Sequence, residues 1–310
     1  MLLITPKRKY TPHGYIHIFQ ITLDRGLCFY TVADCLVWFT LFCTLAVKYG
    51  VKVLAVCIML NHFHIEAAFP SREKMIAMMR ELDARFTQQY NRHYGLSGSL
   101  FQGRYGSAIK VKEQKIRDNV IYILNNPIPK RAVSRPEKYR WNFLAYMDSD
   151  HPFSEKVVIR RSSRHLLAVL GMVRQYRAQD KSLGYSFFSG MYEKLSPEER
   201  LQVIDYVVTR YNVINYGVLR RMWGDYRSLC DALKVVGGAE YDLNDDCSQE
   251  DYRRYYRMAN LAPRLCGIDL SVARFDVLDG GERLRLAHLF YQETEASRTE
   301  LAKFLHAPFL

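Results

Sequence analysis

Two short stretches of this sequence carry side chains whose types and spacing could do chemistry. The first, Asn61-His62-Phe63-His64, follows the apolar run of residues 53–60. That run is β-branched and aliphatic and lies between Gly50 and Pro70, so it reads as a buried strand. If the strand continues through the motif, side chains alternate between its faces. His62 and His64 then share one face about 6–7 Å apart, and Phe63 anchors the other. Two imidazoles held this way can chelate a divalent ion. An isolated His-x-His is more often a pair of hydrogen-bonded core histidines, so the chemical reading needs further residues.

Those residues come in Asn119-Val120-Ile121-Tyr122-Ile123-Leu124-Asn125-Asn126-Pro127. Residues 112–125 have helical spacing, with Ile116, Val120, Ile123 and Leu124 as the apolar stripe. The helix ends where Pro127 forbids continuation. Tyr122 and Asn126 are four residues apart and lie on one face of its last turn. A phenol nucleophile and an amide oxygen could thus be brought to the two histidines. With 22 tyrosines in the chain, one tyrosine on a helix is by itself ordinarily packing.

Taken together, the stretches resemble the single-tyrosine HUH transposases, the group that includes the REP-associated tyrosine transposases and the IS200-like insertion-sequence type. The family pattern is Met-Pro-Asn-His-x-His on a strand, then Gly-x-Leu-aromatic-Gln-x-Arg-Tyr, then Tyr-Ile-x-x-Asn-Pro. Here these stand as Met59-Leu60-Asn61-His62-Phe63-His64, residues Gly98 to Tyr105 (Gly-Ser-Leu-Phe-Gln-Gly-Arg-Tyr), and Tyr122-Ile123-Leu124-Asn125-Asn126-Pro127. Order and spacing match from about residue 10 to about 146. Leu60 departs from the usual proline, Trp141-Asn142-Phe143 from the usual Trp-Ser-Ser, and Glu66 stands where the family is usually apolar.

The resemblance implies a ferredoxin-like antiparallel sheet with helices on one face, and a DNA transposase that nicks and rejoins single-stranded DNA bearing imperfect hairpins. Mg²⁺ or Mn²⁺ would be held by His62, His64 and Asn126, or Glu66, to polarise the scissile phosphodiester. The Tyr122 hydroxyl would attack phosphorus, leaving a 5′-phosphotyrosyl link and a free 3′-hydroxyl. Gln102, Arg104, Lys110, Lys112, Lys115 and Arg117 are candidates for guiding the strand, and Tyr90, Tyr94, Phe101 and Tyr105 for stacking bases. Family members work as homodimers that exchange tyrosine helices or as monomers, and both remain open. Two other readings compete. A replication-initiator or relaxase-like nickase shares the chemistry, but no helicase-type phosphate loop is present. A domesticated DNA-binding protein without turnover would need none of His62, His64, Tyr122 and Asn126.

The elements that must position these residues can be read along the chain. Its 310 residues, 49% hydrophobic and 25% charged, suit two globular domains. A net charge of +12 favours a polyanionic partner. The 7 cysteines form no Cys-x-x-Cys pair and sit mostly in apolar stretches, as in a reduced, cytoplasmic protein. The first nine residues are too short an apolar run for a signal peptide. Residues 35–47 fall short of a bilayer span and read as a helix buried against a sheet, and as a candidate subunit contact. Thr31 or Asp34 could cap it.

Strands are expected over residues 13–22, 51–60, 62–69 and about 104–109, with a helix from Ser71 towards His93 whose inner stripe is Met75, Met78, Met79, Leu82 and Phe86. From about residue 150 the chain reads as helical, giving a catalytic domain over 1–150 and a helical domain over 151–310. Ser196-Pro197-Glu198-Glu199 is a capping box opening a helix with Leu201, Ile204, Val208 and Tyr211 inside. Residues 213–236 read as one or two helices ended by Gly237-Gly238. Residues 282–306 resemble a helix-turn-helix with Arg298, Thr299 and Lys303 outward as candidate nucleic-acid contacts. A plain helical hairpin explains the same pattern.

Overall fold

A computed structural model describes residues 9–192, 194–235, 252–267 and 278–307. Four strands, β1 (Tyr15–Ile21), β2 (Lys52–Met59), β3 (His62–Ala68) and β4 (Gly106–Lys110), form one antiparallel sheet in the order β2-β3-β1-β4. With α1 (Val32–Tyr49) after β1 and α2 (Arg72–Tyr94) after β3, this is the expected ferredoxin-like layer plan. The histidines do not prolong β2. The chain turns at Leu60-Asn61, and Met59 pairs with His62 at the start of β3.

Alternation along the strands gives the sheet two chemically different faces. Ile16, Ile18, Val56, Ile58, Phe63 and Ile65 join α1 and α2 in one core. His17, His62, His64 and Glu66 lie on the other face, which α3 (Glu113–Asn125) crosses with Ile116, Val120, Ile123 and Leu124. The irregularity between Val53 and Ala55 lets Leu54 and Ala55 both join this second core.

Thr31 caps α1, and Asp34 completes the capping box. The buried Asp34 carboxylate accepts from Tyr30 N, Thr31 N and Thr31 Oγ1, and from the hydroxyls of Tyr94 and Tyr185. It thereby joins the start of α1, the end of α2 and the single turn α5 (Tyr185–Phe187). α1 is the one helix among the described residues long and apolar enough to cross a membrane, and 78% of it is buried inside the fold.

Beyond residue 150 the fold is helical: α4 (Arg164–Ala178), α6 (Pro197–Tyr211), α7 (Tyr216–Trp223), α8 (Tyr226–Val235), α9 (Arg253–Cys266), α10 (Gly280–Thr294) and α11 (Arg298–Leu305). The α6 capping box forms as read from Ser196 and Glu199. Leu201 faces solvent instead of the core, 42% exposed. Residues 213–236 resolve into α7 and α8. Gly237-Gly238 and Cys247 lie outside the described residues.

The change of character near residue 150 marks where the sheet's sequence ends, but both cores run across it. α4 and α6 extend the α1–α2 core, and α7 to α11 extend the α3 core. Ile214 bridges Val53, and Asn215 N donates to Val53 O at 2.9 Å, so the helical half also covers the β2 edge.

Asp34→Ala would strand several buried donors at once and is expected to cost about 3 kcal/mol or more in urea unfolding, against about 1 kcal/mol for Thr31→Ala. Equal losses in the two variants would contradict this role for Asp34.

Candidate active site

The site is assembled where β3 passes beneath the last turn of α3. His62 and His64 project together because they are two residues apart on one strand. From α3, Asn119, Tyr122 and Asn126 follow at helical spacing and descend onto the same face. His62 and His64 are 2% and 1% exposed, so their hydrogen bonds fix their chemistry.

For His62 the ring assignment follows from its neighbours. Asn61 Oδ1 accepts from the Tyr252 hydroxyl at 2.6 Å, and Asn61 Nδ2 donates to Arg25 O at 3.4 Å. The oxygen 2.7 Å from His62 Nδ1 can only accept, so Nδ1 is the protonated nitrogen. His62 Nε2 lies 3.2 Å from Asn126 Oδ1, so both ring nitrogens face amide oxygens.

For His64, Asn126 Nδ2 donates to Nε2 at 3.1 Å. Nδ1 therefore carries the proton and donates to His17 Nε2 at 3.0 Å. Burial, helped by the positive charge of Lys130, pushes His64 down to about 3, so the ring is neutral near pH 7. Burial, with His64 and Lys110 beside it, also holds His17 well below its usual value. The two Nε2 atoms thus converge on one side-chain amide, His62 facing its oxygen and His64 its nitrogen.

This arrangement fits a divalent cation. Two Nε2 atoms and Asn126 Oδ1 form a convergent donor set, and each imidazole has its other nitrogen committed to a supporting hydrogen bond. Among the described residues no group of three or more His, Cys, Asp or Glu side chains is suited to a metal.

Glu66 does not join the set. Its Oε2 accepts from Asn119 Nδ2 at 2.9 Å, and it stands opposite His17 in the β1–β3 register. Burial pushes its carboxyl up to about 8 despite Asn119 and Lys110, so it is largely protonated near neutrality and a poor ligand for a hard cation. His17 Nδ1 and Glu66 Oε1 are both buried without a hydrogen-bond partner.

Tyr122 is half-buried, with its ring 5.5 Å from that of His64 and 5.8 Å from that of His17. The Tyr122 ring therefore packs beside His64 and His17 of the same chain.

The other candidates divide. Gln102, Arg104, Lys112, Lys115, Arg298 and Thr299 are exposed, whereas Lys110 and Lys303 are half-buried. Burial lowers the Lys110 ammonium, and Glu66 opposes that shift. Arg117 is engaged within the fold, pairing with Glu113 at 3.5 Å and lying over Trp223 at 5.0 Å. Tyr90, Phe101 and Tyr105 are buried in the first core, and the Tyr94 hydroxyl is bound to Asp34. These four aromatics pack the fold and offer no base-stacking platform.

α10 and α11 form the expected hairpin, with Ser297 and Glu300 as a capping box. α11 turns Leu301, Phe304 and Leu305 inward, and Phe304 meets Tyr30 at 5.1 Å.

Sequence reasoning missed His17, Asn119 and Tyr252. A histidine between two isoleucines on an alternating strand was a usable signal for His17, and the spacing from Tyr122 was one for Asn119. Nothing local marks Tyr252.

The two buried titrations act in opposite senses on stability. Between about 4.5 and about 8 the unfolded chain has lost the Glu66 proton and the native state has kept it, so stability falls as pH rises. His64 binds a proton only when unfolded between about 3 and its ordinary 6.5, so stability is lost as pH falls through that window. Glu66→Gln is expected to flatten the alkaline limb, whose slope approaches ~1.4 kcal/mol per pH unit, and to stabilise the protein at pH 8. An unchanged slope in urea unfolding from pH 5 to 8 would contradict this.

Comparison with known proteins agrees with the motifs. The family described as Transposase IS200 like matches residues 11–126. A solved structure described as the REP associates tyrosine transposase bound to a REP hairpin is similar at 17% identity, covering 44% of this chain and 80% of that one, with a TM-score of 0.38. No curated protein matches the chain. The matched segment, residues 11–126, holds His17, His62, His64, Tyr122 and Asn126, and is similar to the IS200-like transposases.

Proposed function

We propose that this protein is a DNA strand transferase in which Tyr122 is the nucleophile and His62, His64 and Asn126 hold a divalent cation, Mg²⁺ or Mn²⁺. The observation that carries this reading is the convergence of both Nε2 atoms on Asn126, one helical turn from a half-buried phenol. The chemistry supplied by the cation when bound is polarisation of the scissile phosphodiester and compensation of the charge developing on it. Imidazole is a soft ligand for Mg²⁺, so tolerance of softer ions is expected.

The Tyr122 oxygen forms a bond to phosphorus as the bond from phosphorus to the 3′-oxygen breaks. The phenol loses its proton, and the departing 3′-oxygen ends as a hydroxyl. The phosphotyrosyl ester conserves the energy of the broken bond, so attack by a second 3′-hydroxyl joins a new strand and restores Tyr122 without ATP. Single-stranded DNA bearing hairpins is the proposed substrate, in keeping with the family and the net charge of +12. Gln102, Arg104, Lys110, Lys112 and Lys115 are its proposed contacts, with Arg298 and Lys303 from the C-terminal hairpin. The free cysteines suit a cytoplasmic location.

Incubation with labelled single-stranded hairpin DNA and Mn²⁺ should give a protein–DNA adduct on a denaturing gel. Tyr122→Phe is expected to remove the adduct while leaving hairpin binding intact, and His62→Ala to lower it by about 10²-fold or more. An adduct that persists in Tyr122→Phe would overturn the assignment of the nucleophile.

A further inference from the structure

The cation site is not completed by the transposase segment alone. Asn61 holds the Nδ1 side of the His62 ring, and two of the partners of Asn61 come from distant places. Arg25 O receives its amide N–H, and the Tyr252 hydroxyl donates to its oxygen at 2.6 Å. Tyr252 lies outside residues 11–126 and enters from the start of α9, where its backbone N–H donates to Lys130 O at 2.9 Å. Tyr252 is 0% and Asn61 1% exposed, so water does not substitute for these contacts.

Asn61 Oδ1 lies 2.7 Å from His62 Nδ1, so the Tyr252 hydroxyl, Asn61 and the His62 ring form one buried chain of contacts that fixes the ring with Nε2 toward Asn126.

We propose that Tyr252 is a positioning residue of the cation site: its hydroxyl holds Asn61, whose Oδ1 in turn holds the Nδ1 side of the His62 ring and so directs Nε2 toward Asn126. This deepens the proposed function and rests on it. It also gives the helical half of the chain a part in the chemistry, because the orienting group is delivered by the core that α9 shares with α3.

Co²⁺ titration of the full-length protein, followed by its visible ligand-field absorption, tests the proposal without DNA or turnover. Tyr252→Phe keeps the buried ring and removes the hydroxyl, and is expected to weaken Co²⁺ binding by roughly 10–100-fold. Tyr139→Phe is the control. Tyr139 is a buried tyrosine of the same core whose hydroxyl donates to Ile58 O at 2.8 Å, away from both histidines. It should match Tyr252→Phe in lost thermal stability yet bind Co²⁺ like the parent.

Asn61→Ala should weaken Co²⁺ to a similar extent, and adding Tyr252→Phe to it should have little further effect, since both act through one relay. Tyr252→Phe that binds Co²⁺ as tightly as the parent, while His62→Ala abolishes binding, overturns the role of Tyr252 alone. A parent protein that takes up no Co²⁺ overturns the cation site and this proposal with it.

Discussion

The architecture of the site depends on one constraint: two buried imidazoles must each keep Nε2 directed at the same side-chain amide. Burial alone would favour rings satisfied on both nitrogens by ordinary donors and acceptors. Here each Nδ1 is held by a neighbour, His62 by Asn61 and His64 by His17, which leaves both Nε2 atoms facing the Asn126 amide. That pattern is wasteful for stability and well suited to a cation, and it is the clearest departure of this core from a merely structural one.

The rest of the fold makes that constraint affordable. Strand alternation lets Phe63 and Ile65 anchor β3 in an apolar core while His62, His64 and Glu66 face away from it. The supporting groups arrive from separate elements: His17 from the neighbouring strand, Asn119 and Asn126 from α3, and Tyr252 from α9. Because both cores continue past residue 150, the helical half is packed against the sheet and α3, and does not hang from them as an appendage.

Much of this was legible in the sequence. Period-two and period-3.6 patterns located the strands, α1, α2 and α3, and the caps at Thr31, Ser71 and Ser196 fixed helix starts. His62, His64, Tyr122 and Asn126 were legible because their spacing has local meaning on a strand or a helix. Glu66 shared the histidines' strand face, but that parity could not reveal that its carboxyl is turned to Asn119 and neutralised by burial. The aromatics at 90, 94, 101 and 105 were ambiguous because packing and base stacking use the same residue types. Tyr252 was invisible, since its meaning comes from a contact with Asn61 that only the folded chain creates.

The most direct measurement of the central claim is anomalous diffraction from crystals grown with Mn²⁺, with data collected for the manganese signal. A single strong peak is expected in coordination contact with His62 Nε2, His64 Nε2 and Asn126 Oδ1, with the Tyr122 hydroxyl directed at it. Density that leaves Asn126 bridging two metal-free imidazoles, or a manganese peak on Glu66 in place of the histidines, would contradict it.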